Sequence, residues 1–165
     1  MSDARVWMAG EDEADAVAAL LAGFRSHFGK SEPSDESMLR SVERIMAERG
    51  GEYLLAAPGG EGEAVNAAEA AGVCQLRFRW SVWTESEDCW LEDLFVREEA
   101  RGRGLGRALV EAALERARER GCRRIELDVN EDNTAALALY EACGFSREPK
   151  PPGRTLFVAR RLDGD

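Results

Sequence analysis

Trp90-Leu91-Glu92-Asp93-Leu94-Phe95-Val96, followed by Arg101-Gly102-Arg103-Gly104-Leu105-Gly106-Arg107, is the stretch that decides how this chain is read. The first segment is aromatic, apolar or β-branched apart from two adjacent carboxylates, which predicts a central strand with Glu92 and Asp93 set into it. The second places three glycines on alternate positions at the start of a helical pattern. Glycine costs helix stability, so this spacing predicts a backbone that a ligand approaches closely. A helix start offers unpaired N–H groups and the positive end of the dipole, and Arg97, Arg101, Arg103 and Arg107 add cationic side chains. An anionic ligand follows from that combination. The plainer alternative is a glycine-rich turn ahead of a surface helix.

Among phosphate loops, the Gly-Lys-Ser/Thr form fails, because Arg107-Ala108 follows Gly106 and no hydroxyl is available for magnesium. A dinucleotide fingerprint starting at Gly102 is weak, since position 107 would have to be glycine and no mononucleotide-type strand–helix pair repeats before it. Arg-x-x-Gly-x-Gly after a strand remains. Downstream lies Asn133-Thr134-Ala135-Ala136-Leu137-Ala138-Leu139-Tyr140-Glu141-Ala142-Cys143-Gly144-Phe145, an Asn, Ala, Leu-Tyr, Gly-Phe series with a strand and a helix between it and the first motif. The two together resemble the GNAT superfamily of N-acetyltransferases over Leu91 to Phe145. In the central strand, Ser81-Val82-Trp83 ahead of Leu91-Glu92-Asp93 is similar to the diamine (spermidine/spermine) acetyltransferase branch, from which the N-terminal segment departs.

Composition sets outer limits. A chain of 165 residues is about one domain long and can bury a core. Its four cysteines form no C-x-x-C pair and it has one histidine, His27, so neither a zinc site nor a disulfide framework is indicated. His27, late in an amphipathic helix, is read as a surface residue outside the site. No apolar run is long enough to span a bilayer and the N-terminus lacks the form of a signal peptide, so the expectation is a soluble, cytoplasmic domain with no membrane partner. The net charge is -10, with residues 1–69 contributing 14 acidic against 6 basic residues. That acidity disfavours nucleic acid and favours a cationic ligand, with simple solubility as the alternative.

Taken in order, the pattern predicts a strand at Arg5–Ala9, a helix from Glu11 with Val17, Leu20, Leu21, Phe24 and Phe28 on one face, and a second helix capped by Ser34 or Asp35. Strands follow at 52–57 and 71–80, the first leading into a hairpin tip at 58–70 with no packing pattern. After the organising strand and helix come a strand through Ile125, Leu127 and Val129, a helix from Thr134 to Ala142, and a last strand from Thr155 to Leu162. The expected class is α/β, a mixed α+β sandwich of GNAT-like fold, with a central mixed sheet of about six to seven strands and helices on both faces.

The resemblance implies acetyl-CoA as acyl donor, a small-molecule primary amine as acceptor, no metal, and an assembly that could be a homodimer. By position it implies that the backbone of Leu94, Phe95 and Val96 pairs with the pantetheine arm and that the turn Arg101, Gly102, Arg103, Gly104, Leu105, Gly106 and Arg107 holds the pyrophosphate. Asn133, with Ala136 beside it, corresponds to the asparagine contacting the cofactor arm, and a plain helix cap is compatible with that role. Tyr140 matches the tyrosine facing the thioester sulfur, against the alternative of a core tyrosine. Glu92 is the base candidate and Asp93 a substrate-binding or relay partner, with pairing to Arg77 or Arg79 as the alternative role. Trp83, Phe24, Phe28 and Glu32 are the remaining acceptor-binding candidates. A small di- or polyamine is the preferred acceptor. A protein N-terminus or lysine, an aminoglycoside, and a non-catalytic acyl-CoA-binding module are the competing readings.

Overall fold

The computed structural model describes residues 4–60, 63–64, 66–147 and 158–162. Strand β1 (Ala4–Met8) leads through a 3-10 turn into α1 (Ala14–His27) and α2 (Asp35–Ala47), and the chain then returns as β2 (Gly51–Pro58), β3 (Gly72–Ser81) and β4 (Ser86–Val96). Helix α3 (Leu105–Glu119), the short β5 (Ile125–Glu126) and α4 (Thr134–Ala142) complete the described elements. The strands form one sheet in sequence order, β1 to β4 antiparallel and β4 to β5 parallel. The mixed class is as expected. The described sheet has five strands, not six to seven. Of the last predicted strand, residues 155–157 lie outside the described residues and 158–162 are not in a strand.

Strand periodicity sorts the core into two layers. Leu54, Ala56, Cys74, Leu76, Phe78, Cys89 and Leu91 face α3, whose Leu105, Leu109, Val110, Ala113 and Ala117 fill that side. Tyr53, Leu55, Val73 and Phe95 face α1 and α2, against Val17, Leu20, Leu21 and Val42. Position 91 belongs to the first layer and position 95 to the second, which strict alternation forbids. The ladder explains the switch: Leu76 pairs with Leu91 while Gln75 pairs with Asp93, so Glu92 is an extra residue in a β-bulge. Everything after Glu92 is turned to the opposite face from the one its number would predict.

Ion pairs tie the far end of α3 to the sheet. Arg116 holds Glu52 at 2.8 Å, and Arg120 bridges Glu52 and Glu87, each at 2.8 Å, while its guanidinium lies 4.0 Å from the Phe78 ring centroid. Burial pushes the Glu52 carboxyl up, and the two arginines more than offset this and hold it below the usual range. The two ends of the 58–70 connection are tied to β1, since Arg5 donates to the Pro58 carbonyl at 2.9 Å and pairs with Glu69 at 2.7 Å. Ser34 caps α2, accepting from the Ser37 amide at 3.3 Å.

Candidate active site

β4 and β5 pair only at Cys89 with Ile125 and Trp90 with Glu126. Beyond the bulge they part, so the predicted strand through Leu127 and Val129 is paired only over its first two residues. The bulge has twisted β4 away, and a parallel neighbour cannot follow. Among the described residues, the β5-side edge of β4 from Leu91 to Val96 therefore has no strand beside it. An extended polar arm fits such an edge by the same pairing that adds a strand to a sheet. Leu94 and Val96 pack toward α3 and Phe95 toward α1, so these residues offer the edge their backbone and not their side chains.

The turn after β4 uses the conformational freedom of its glycines. Gly102 and Gly104 take φ of 74° and 81°, a left-handed backbone that side chains with a Cβ disfavour, and a Cβ on Gly102 would meet nothing within 4 Å. Gly104 is the N-cap of α3, has no side-chain cap, and no acidic residue occupies the first turn. The first N–H groups of a 15-residue helix thus face outward with their dipole uncompensated. Arg101 donates to the Val96 carbonyl at 3.0 Å, Arg107 pairs with Glu111 at 2.8 Å, and Arg103 is exposed. Leu105 is buried, so only its amide can serve the site. The set fits a pyrophosphate.

Tyr140 lies on α4, 9% exposed and packed edge-on against Phe145 at 5.7 Å. It is a core residue of the α3 side. Burial first, then the field of Cys74, Asp128 and Asp93, pushes its hydroxyl up to about 12. Asn133 caps α4, accepting from the Ala136 amide at 3.2 Å, so the capping role is realised. Asp93 is half-buried, and burial, then Glu92 and Asp128, raises its carboxyl to about 6. Glu92 is exposed on the bulge. Neither carboxylate pairs with Arg77, which bonds Glu48 at 3.2 Å, or with Arg79, so the alternative structural role does not hold. Asp128 escaped the sequence reading. It alternates with apolar neighbours as a solvent-facing strand residue would, and only the parting of the two strands turns it toward Asp93 and Tyr140.

On the α1 side, Phe24 stacks on Phe95 at 5.3 Å and Phe28 lies 5.1 Å from Phe24, 61% exposed. His27, the last residue of α1, is exposed as expected of a surface residue, with its ring 5.6 Å from Phe28 and 6.4 Å from Phe95. Glu32 is exposed in the loop that follows, where Arg25 pairs with Asp35 at 2.8 Å. Trp83 does not join them. It is 92% exposed at the tip of the β3–β4 hairpin, and the strand from Ser86 to Glu92 separates it from the bulge by about 20 Å at the ordinary rise. The cysteines offer no nucleophile: burial drives the Cys74 thiol well up, raises Cys89 to about 12, and also raises Cys143.

Two measurements test this geometry. Gly104→Val forces a branched residue into a left-handed conformation, costing about 1–2 kcal/mol of stability. If the turn binds an anionic cofactor, the same change weakens acetyl-CoA binding at least tenfold by calorimetry while circular dichroism stays native. Asp93→Asn reads the buried charge. Its folded pKa lies above the roughly 3.9 of an unfolded aspartate, so the ionised group opposes folding above about pH 6, and the penalty fades as pH falls toward 4. The variant should therefore melt higher than the parent at pH 7.5, by on the order of 2 kcal/mol, with the difference vanishing near pH 4.

Comparison with known proteins agrees with this geometry. The model of the Acetyltransferase (GNAT) family matches residues 17–145. A mycothiol acetyltransferase from Thermobispora bispora is 32% identical over 149 residues, covering 87% of this chain and 46% of that protein. A thialysine N-epsilon-acetyltransferase from Bos taurus is 34% identical over 96 residues, covering 55% and 51%. The chain thus spans about half the length of these curated relatives. The crystal structure of an Arthrobacter sp. FB24 protein assigned to the acetyltransferases superposes with a TM-score of 0.79 at 31% identity, over 96% of both chains. An open strand edge beside an uncapped glycine turn, on a chain matched by the family model over most of its length, places this protein in the GNAT acetyltransferase family.

Proposed function

We propose that the protein transfers an acetyl group from acetyl-CoA to the primary amine of a small di- or polyamine. The observation that carries the acceptor half of this reading is a partly buried carboxylate, Asp93, which has no cationic partner among the described residues and lies in a common field with Glu92 and Asp128. Buried charge is ordinarily paired, and here an ammonium on the acceptor would complete the pair. The net charge of the chain adds a wider attraction for cations.

The donor, when bound, supplies the thioester. Backbone along the open β4 edge and the amides of the Gly102–Arg107 turn hold it. Glu92, on the bulge and open to water, takes the proton of the attacking amine. An alkylammonium near pKa 10.4 costs roughly 5 kcal/mol to deprotonate at pH 7, and a positioned carboxylate with a water lowers that cost. Tyr140 donates its hydroxyl hydrogen to the charge developing on sulfur. With the phenol near 12 and a free thiol near 8.5, complete transfer would be uphill by about 5 kcal/mol, so the hydrogen bond itself is the stabilising contribution. The raised cysteine thiols favour direct attack by the amine over an acyl-enzyme.

A thiol-release assay with acetyl-CoA across a panel of amines tests the reading. Diamines should exceed monoamines of similar length in kcat/KM, and the advantage should narrow as salt rises, because exposed charges are screened over about 8 Å at physiological ionic strength. Best activity on peptides or neutral amines, independent of salt, would sink the polyamine assignment. Tyr140→Phe should lower kcat about 100-fold with acetyl-CoA affinity nearly intact, and Glu92→Gln should shift the pH–rate profile upward.

A further inference from the structure

The sequence of β3 alternates an apolar face, Cys74, Leu76 and Phe78, with a mostly polar one, Gln75, Arg77 and Arg79. The polar face is the one that looks toward α1 and α2, where Val73 joins their core. Register then places three polar side chains in one row across three strands: Tyr53 on β2 is opposite Gln75 on β3, and Gln75 is opposite Asp93 on β4. Without the bulge, Asp93 would face α3 and the row would end at Gln75.

No hydrogen bond joins these side chains to another described residue. Tyr53 is 1% exposed and Gln75 6% exposed as whole residues, but their polar atoms are not among the buried unpartnered ones and so reach open space, and Asp93, half-buried, has no cation beside it. The phenol is well above its ordinary range, through burial and then Asp93, so it is neutral and lies within that carboxylate's field. Polar groups on the inner face of a sheet are normally satisfied by protein, by water or by a bound molecule. Two neutral oxygens and one carboxylate oxygen in a row are acceptors for three hydrogens, the number a primary ammonium carries.

We infer that Tyr53, Gln75 and Asp93 form a subsite for the distal primary ammonium of the acceptor. This rests on the amine-acetyltransferase reading above and adds residues that determine specificity. The reacting nitrogen lies at the bulge, and the distal one lies over the row. Strands are spaced about 4.8 Å apart, so the two nitrogens of the preferred acceptor are separated by roughly 5–10 Å. Gln75 contributes its amide oxygen, Tyr53 its hydroxyl oxygen, and Asp93 the charge.

Three acceptors of equal length separate this subsite from a general acidic field: a diamine, the same molecule with its distal nitrogen dimethylated, and the corresponding monoamine. The first two carry the same charge, but the dimethylated ammonium has one N–H instead of three. The wild-type enzyme should favour the primary diamine over the dimethylated one at least fivefold in kcat/KM, carried by KM. Gln75→Leu and Tyr53→Phe should each reduce that ratio to below twofold. Should Tyr53→Phe fail to fold, the pair Gln75→Leu and Gln75→Glu decides, because glutamate keeps an acceptor oxygen and should retain the preference that leucine loses. A ratio unchanged in folded Gln75→Leu, or an equal loss on all three acceptors, overturns the subsite. A wild-type preference for both diamines over the monoamine, with no discrimination between them, overturns the row and leaves the acidic-field reading standing. Failure to acetylate any amine overturns both.

Discussion

The structure depends on one extra residue. Glu92 adds a residue to β4 opposite the Gln75–Leu76 step, and that single insertion does three things. It moves Asp93 and Phe95 from the α3 side of the sheet to the α1 side. It lifts Glu92 out of the ladder into solvent. It twists β4 enough that β5 parts from it after Trp90, leaving a strand edge without a neighbour among the described residues. The open edge, the exposed Glu92 and the inward-facing Asp93 are consequences of the same irregularity, and none would survive a regular ladder.

The surrounding architecture makes the bulge tolerable. α3 is held at its far end by Arg116 and Arg120 against Glu52 and Glu87, with Arg120 also over Phe78. Leu105, Leu109 and Val110, fully buried, hold its near half against the sheet. The helix is therefore fixed along its length, and its uncapped N-terminus is aimed by packing rather than by contacts of its own. This division suits a binding site. The end that meets the ligand carries unsatisfied donors, and the stabilising interactions are placed where no ligand comes.

Electrostatics at the centre run against stability. Asp93 stays half-buried beside two other carboxylates, and the hydroxyls of Tyr53 and Tyr140 are raised by burial and by those same charges. A fold optimised for stability alone would replace these groups with apolar ones or pair them with arginine, and Arg77 lies on the same face of β3, engaged with Glu48. Under the proposed function, the missing cation is one that the acceptor brings.

The sequence by itself determined most of the element types, the glycine turn at the start of α3, and the Thr134–Ala142 helix with Asn133 as its cap. All of these are local: a glycine spacing, a capping residue and a hydrophobic period each act within a few residues. The matched motifs also singled out Tyr140, Glu92 and Asp93 as candidates. What only the tertiary structure decided was which way the residues of β4 face, because a bulge is set by the pairing of two strands and leaves no mark in the period of either one. The same cause hid Asp128, brought Phe95 onto the aromatic group of Phe24 and His27, and aligned Tyr53 and Gln75 with Asp93. Those three residues are 22 and 18 positions apart in the chain, and register alone makes them neighbours.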